Sequence, residues 1–396
     1  MLNKNFYKLG TAPSPIRALF MYGVEKAKTV GAENIFDYSL GNPSIPAPPK
    51  VNETIEDLAH NMDALKLHGY SVAAGHESVR QAIADNLNRR FNAGATSGRI
   101  FMTAGCAPAL LATAKALTET PEEEFIAIAP FFPEYRVFFQ SGGAKLKFVP
   151  PDTENFQINL EELEKAITPT TLAVIINSPN NPSGVVYTRE TLQKVAAILK
   201  NKSEEFGHPI YIVADEPYRE LVYGGVEVPF IPEIYNNTIV CYSWSKSLSL
   251  PGERIGYVYV PENCENGDAL YSTIVGSARE LGSVCPPSLM QRVIEACVNE
   301  EPDLAAYDEN RMLLYEELTA MGYSMAKPDG AFYMLVKAPN GDAKAFSEKA
   351  KIEHNLLVVP ADGFGCPGYM RLSYCVSNEM IRRSLPAFKA MIESYK

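Results

Sequence analysis

Residues 238–260 read TIVCYSWSKSLSLPGERIGYVYV. Two apolar runs, TIVCY and IGYVYV, have the length and the β-branched and aromatic content of buried strands. Between them sits a polar cluster of Ser243, Ser245, Lys246 and Arg254. A lysine among serines directly behind an apolar strand, with an arginine eight residues on, needs an explanation. In open parallel sheets, ligands bind beyond the carboxyl ends of the strands. If TIVCY is such a strand, the cluster faces a ligand.

The neighbouring sequence supports that sheet. FIAIA (125–129), LAVII (172–176), IYIVA (210–214) and IVCY (239–242) are uniformly apolar. One-sided strands alternate with polar residues, so these runs predict a mostly parallel sheet covered on both faces. Helical periodicity lies between them. Val79, Ile83, Leu87 and Phe91 recur every four residues, and Leu192, Val195 and Leu199 mark a helix over 190–201. Alternating strands and helices make an α/β domain. The last third differs: GAFYMLVK, NLLVVP and YMRLSYCV read as strands flanked by long helices at 302–321 and 378–395. This predicts a smaller α+β domain, completed by the N-terminal segment. The proline-rich GNPSIPAPPK (41–50) is expected to be a hinge or crossing segment.

Other strand ends also carry polar and turn residues. RIFMT is followed by Gly105-Cys106-Ala107, LAVII by NSPNNPSG (177–184), and IYIVA by Asp215-Glu216-Pro217-Tyr218. Taken singly, NNPSG is a turn and Asp-Glu a helix cap; four such ends in one sheet point to a site. Pro108 suits the first turn of a helix. The backbone N–H groups of Gly105, Cys106 and Ala107 then face an anion, helped by the helix dipole. Ser243, Ser245 and Arg254 add hydroxyls and a guanidinium fork for the same anion, most economically a phosphate. Lys246 beside it is placed for Schiff-base chemistry. Asp215 suits a pyridinium nitrogen, and Tyr218 and Asn181 can reach a phenolic oxygen. These residues alone do not choose between phosphate-bearing aldehydes.

Composition narrows the classes. The chain has 396 residues, 46% hydrophobic and 21% charged, as in ordinary globular proteins able to bury a sizeable core. A formal charge of −11 argues against nucleic acid as the main partner. Seven cysteines without a C-x-x-C pair suit a reducing compartment, and five histidines without ligand spacing make a metal unexpected. The N-terminal stretch has no apolar signal core, and no run reaches the roughly 18 apolar residues of a membrane span. The expected location is the cytoplasm.

On these residues the sequence resembles the class I pyridoxal-phosphate aminotransferases, the aspartate-aminotransferase fold type. The resemblance covers nearly the whole chain. It is carried by Gly41-Asn42-Pro43, by Tyr70 with Gly75 behind it, by Gly105-Cys106-Ala107, and by Pro130-Phe131-Phe132-Pro133-Glu134-Tyr135. It continues through Asn181-Pro182-Ser183-Gly184, Asp215-Glu216-Pro217-Tyr218, SWSKSLSLPGERIG and Met370-Arg371-Leu372-Ser373, all in the family's order. The resemblance implies a seven-stranded large domain over 48–297, a small C-terminal domain over 298–396 and an N-terminal segment, 1–47, packed on the latter. It implies pyridoxal phosphate as cofactor, held by Lys246 as the Schiff-base and proton-shuttling lysine. Asp215 would hold the ring nitrogen, Asn181 and Tyr218 the ring oxygen, and Phe132 the ring face. Ser243, Ser245, Arg254 and the 105–107 backbone would form the phosphate cup. Tyr70 would reach the phosphate of a neighbouring subunit, so the site would need a homodimer. Arg371 would clamp the substrate carboxylate, a bidentate task that suits arginine over lysine, with help from the Gly41 backbone.

Two departures stand out. Pro108 removes an N–H that many relatives have at the phosphate cup. Acid-specific members place an arginine for a second substrate carboxylate where this chain, counted back from Pro286-Pro287, has Glu280; Arg279 is one residue off. The expected reaction is ping-pong exchange of an amino group between an L-amino acid and a 2-oxo acid. A carbon–sulfur β-lyase or another eliminase would use the same residues. Ser243-x-x-Lys246 also matches the S-x-x-K of serine acyl-transferring enzymes, but the S-D-N and K-T-G elements are missing. A regulator that borrowed the fold would carry an additional DNA-binding region ahead of these motifs, which begin by Gly41.

Overall fold

The computed structural model describes residues 2–12 and 14–396. A short strand β1 (Phe36–Asp37) precedes the main sheet. The main sheet contains β2 (Ile100–Thr103), β3 (Glu124–Ile128), β4 (Lys145–Val149), β5 (Thr171–Asn177), β6 (Tyr211–Asp215), β7 (Thr238–Ser243) and β8 (Gly256–Tyr259). Their order is β2-β8-β7-β6-β5-β3-β4. Only β8 runs antiparallel to its neighbours, so the carboxyl ends of the other six share one edge.

Alternation explains the uniformly apolar runs. In β3, Phe125 and Ala127 pack with Leu110 and Ile274, from helices Cys106–Leu117 and Gly267–Glu280. Ile126 and Ile128 face the other way, toward Val79, Leu192 and Val293 of helices Glu77–Phe91, Arg189–Phe206 and Ser288–Cys297. Both faces are covered, so both sets of side chains must be apolar. Each fully buried Ile or Phe contributes roughly 1.5–3 kcal/mol. The helix expected over 190–201 runs further, from Arg189 to Phe206, with the Thr188 side chain accepting the Thr191 N–H at its start.

The C-terminal part has its own apolar cluster around Tyr307, Phe332, Met334, Phe346, Leu372 and Phe388. Here β9 (Tyr333–Lys337), β10 (Leu356–Leu357), β11 (Val359–Pro360) and β12 (Tyr369–Ser373) follow, with the antiparallel order β11-β12-β9. NLLVVP, expected as one strand, is two: β10 pairs in parallel with β1 from the N-terminal segment, and β11 pairs with β12. Changing partners at Val358 is what divides it. The flanking helices are Ala305–Met321 and Asn378–Glu393. Residues 41–48 carry no helix or strand. This segment is anchored by the Tyr307 hydroxyl, which accepts from the N–H groups of Ser44 and Ile45 at 3.2 and 3.4 Å. Among the described residues no helix is long and apolar enough to cross a membrane.

Candidate active site

Parallel pairing of β5 with β6 and of β6 with β7 sets Asn177 beside Asp215 and Asp215 beside Cys241, so these strands end together. A cavity of about 520 Å³ opens at that edge. Gly41, Cys106, Ala107, Phe132, Asn181, Asp215, Tyr218, Ser243, Ser245, Lys246, Arg254 and Arg371 all line it. Gly105 stands immediately behind, as N-cap of the helix Cys106–Leu117.

Asp215 is buried, yet both carboxylate oxygens are bonded. The Cys106 thiol donates to Oδ1 at 2.9 Å and the Tyr135 hydroxyl to Oδ2 at 2.5 Å. The Asn177 side chain donates to the Asp215 carbonyl at 2.9 Å. Burial pushes the Asp215 carboxyl above its ordinary range, and the Cys106 and Tyr135 donors oppose that rise. A cationic ligand nitrogen would reverse it. Behind the site, Glu216 is paired with Arg219, which also lies over the Phe91, Phe230 and Tyr242 rings. That pair secures the chain beyond β6, and neither residue lines the cavity.

On one side of Lys246 lies an anion cradle. The helix Cys106–Leu117 begins at the cavity, where its first N–H groups lack intrahelical acceptors. Pro108 is the third residue of that helix and costs the cradle one donor. Gly105 has φ +92°, and a Cβ there would come within 2.5 Å of the Arg254 guanidinium; only glycine lets that arginine lie against the helix start. Arg254 is steadied by Nη1 donating to the Pro251 carbonyl at 2.9 Å. Ser243 and Ser245 are buried, with hydroxyls 3.2 Å apart.

The other side carries a buried guanidinium. Arg371 is only 2% exposed. Its Nη1 donates to the Asn181 side-chain oxygen at 3.3 Å and Nη2 to the Ser39 carbonyl, while Nε is buried without a partner. Burial lowers the guanidinium's pKa, a cost that an arriving carboxylate would offset. The Asn181 amide also reaches the Tyr218 hydroxyl at 3.5 Å. Lys246 sits between the two sides, its Nζ donating to the Gly41 carbonyl at 2.6 Å. Burial draws its pKa down to about 8, with the charges of Arg371 and Arg254 acting the same way.

Three residues singled out in the sequence do not line the cavity of this chain. Tyr70 is 89% exposed and does not line the cavity of its own chain. Neither Arg279 nor Glu280 lines it; Glu280 is ion-paired with Lys115 at 3.1 Å. Phe132 does line it, edge-on to Tyr135 with ring centroids 5.8 Å apart. Sequence reading missed the side-chain parts played by Tyr135 and Cys106 at Asp215, and the presence of Tyr333 beside Tyr218 and Arg371. It also missed Ile16, Arg17 and Phe20 of the helix Pro15–Val30, which overhang the cavity. Tyr135 and Tyr333 stood inside quoted runs; no local signal distinguished them from core tyrosines.

A model of the family described as aminotransferase class I and II matches residues 33–388. The chain belongs to this family. As a member it is a pyridoxal-phosphate-dependent aminotransferase with the fold type its sequence resembles. It is similar to an amino transferase from Eubacterium rectale, at 53% identity over 100% of this chain and 99% of the other, with a TM-score of 0.98. It is also similar to the Thermus thermophilus aspartate aminotransferase solved with maleate, at 26% identity, 99% coverage of both and a TM-score of 0.87. Among curated relatives, the aspartate/prephenate aminotransferase of Thermus thermophilus is 29% identical, over 89% of this chain and 90% of its own length. Aromatic-amino-acid aminotransferase 2 of Thermococcus litoralis is 28% identical over 97% of both. These relatives do not favour the lyase reading. The cavity of this aminotransferase fits the cofactor. It joins a buried carboxylate, a lysine amine and an anion cradle, with an arginine at its wall whose Nε is buried and unpartnered.

Proposed function

We propose that this aminotransferase exchanges an amino group between an L-amino acid and a 2-oxo acid at the 520 Å³ cavity, with Lys246 as attachment point and proton carrier. One observation carries the reading: Lys246 lines one cavity with Arg371, Ser243, Ser245, Arg254 and Asp215, and both arginine charges act on it. Bound pyridoxal phosphate supplies an aldehyde carbon and an electron-withdrawing ring.

The chain's own residues do the rest. Ser243, Ser245, Arg254 and the N–H groups of 105–107 hold the phosphate. Asp215, whose anionic form the Cys106 and Tyr135 donors favour against its burial, would pair with the ring nitrogen and keep it protonated. Asn181 and Tyr218 bind the ring oxygen, and Phe132 covers a ring face. Arg371, with the Gly41 backbone, fixes the substrate carboxylate and so orients Cα toward Lys246. A lysine drawn down to about 8 releases its proton near neutrality, so Nζ can take the Cα proton and return it.

Tyr70 is proposed to complete the phosphate cup of a second copy, which makes the working unit a homodimer; its exposure suits such a contact. The pairing of β1 with β10 supports assigning 1–47 to the small unit 298–396, apart from 48–297. Seven cysteines without a close pair support a reducing, cytoplasmic setting.

The test mixes cofactor-loaded protein with single amino acids and no keto acid. Stoichiometric pyridoxamine phosphate with the matching 2-oxo acid is the expected result. Catalytic release of pyruvate and ammonia would establish an eliminase and overturn the proposal.

A further inference from the structure

We infer that the Tyr333 hydroxyl is a positioning group that donates to Tyr218 and ties the Arg371 clamp to the ring-oxygen end of the site. The inference rests on the functions proposed above for Tyr218 and Arg371.

Tyr333 opens β9 and is buried at the cavity wall. Its hydroxyl lies 3.1 Å from that of Tyr218, its only hydrogen-bond partner among the described residues. The Arg371 guanidinium carbon lies 4.8 Å from the Tyr333 ring centroid. Arg371 contacts Asn181, and Asn181 contacts Tyr218, so the four residues form a closed circuit. Residue 41 leaves room for it: a Cβ there would lie 1.9 Å from the Tyr333 hydroxyl oxygen.

Counting protons sets the direction. Each tyrosine hydroxyl has one. Between the two alone, either oxygen can donate. Once Tyr218 gives its proton to the ring oxygen, its own oxygen can only accept, and Tyr333 donates. Tyr333 is suited to this. Burial raises its pKa to about 12, with Arg371 the largest opposing influence. At Tyr218, burial and Tyr333 hold the pKa well above the ordinary value, and Arg371 is a minor influence. The Arg371 charge opposes the rise at Tyr333 and so favours Tyr333 as the donor, and donation into Tyr218 strengthens the bond that Tyr218 makes. A substrate carboxylate arriving at Arg371 offsets part of the charge over Tyr333, which links the two ends.

The test uses cofactor-loaded protein, Tyr333→Phe, Tyr333→Leu, Tyr218→Phe and the double variant Tyr218→Phe/Tyr333→Phe. Borohydride labelling of Lys246 is confirmed first; a label elsewhere refutes the proposed function itself. The readout is the pH midpoint of the cofactor's visible absorbance, which reports the proton on the lysine nitrogen. Tyr333→Phe keeps the ring over Arg371 and removes the donor. Its midpoint is expected to rise by roughly half a pH unit to one unit. Its kcat should fall about 5–10-fold with KM within twofold, since one neutral hydrogen bond is lost. Tyr333→Leu also loses the stacked ring, and KM should rise about tenfold. In the Tyr218→Phe background the second change should move the midpoint little, because Tyr333 acts through Tyr218. With Lys246 labelled, an unmoved midpoint in Tyr333→Phe, or full additivity in the double variant, overturns the inference and leaves the function standing.

Discussion

Arg371 and Asn181, 190 positions apart, meet at 3.3 Å, guanidinium to side-chain amide oxygen. Asn181 follows a strand of the main sheet, and Arg371 lies in the C-terminal three-stranded sheet. Their contact sets the proposed carboxylate clamp at a fixed place relative to the ring-oxygen ligands. Nη2 is committed to Ser39 and Nε has no partner, so the fork is held in place and still able to accept a carboxylate.

Arg371→Lys should therefore fail although the charge is kept. An ammonium cannot span Asn181, Ser39 and a carboxylate. We expect KM for amino acids to rise by roughly 100-fold, matching about 1.5–3 kcal/mol for the charged hydrogen bonds lost. Steady-state kinetics at saturating cofactor measures this, with cofactor affinity unchanged.

Lys246→Ala should fold and still retain cofactor through the phosphate cradle. It should give no borohydride-fixed cofactor, and turnover should fall by roughly 10⁴-fold. Peptide mapping of the reduced wild type should place the label at 246; a label on another lysine rules out the assignment.

The lowered pKa of Lys246 carries a sign. Only the neutral amine attacks an aldehyde, so cofactor uptake by the cofactor-free protein should speed up as pH rises and level off above about 8. At pH 7 about one-tenth of such a lysine is neutral, against roughly one in three thousand for an ordinary one. Stopped-flow absorbance between pH 6 and 9 records the profile. A rate still climbing tenfold per unit at pH 9 would show an unperturbed lysine.

Asp215→Asn keeps the shape and removes the charge. It should bind cofactor more weakly and lower kcat by roughly 100–1000-fold. Tyr135→Phe removes one of the two side-chain donors that oppose the upward shift of Asp215, so a smaller loss of the same kind is expected. Near-wild-type turnover in Asp215→Asn would reduce the acid to a structural cap.

Tyr70→Phe should weaken cofactor binding by about one to two decades with the assembly state unchanged, since a hydrogen bond to a charged acceptor is lost. Complementation is sharper. Tyr70→Ala mixed with Lys246→Ala should regain activity on subunit exchange, because each mixed dimer holds one site with neither defect. Exchange confirmed by mass spectrometry without regained activity refutes the shared site.

The sheet, its two covered faces and half of the residues lining the cavity were legible in the sequence. Lys246, Asp215 and Asn181 are polar residues where apolar strands end, Arg254 stands just before the antiparallel β8 that starts at the same edge, and strand ends in a parallel sheet converge whatever the details of packing. Arg371 was legible through resemblance, since an arginine in a strand carries no local signal of what it clamps. Side-chain direction and long-range register belong to the tertiary structure alone. Cys106 and Tyr135 reach Asp215 from 109 and 80 positions away. Tyr333 reaches the space beside Gly41 through the packing of a separate sheet. NLLVVP divides because two different strands are available to pair with it. Local propensity is a property of neighbours along the chain, whereas these contacts arise from helices and sheets docking at distances no window of sequence contains.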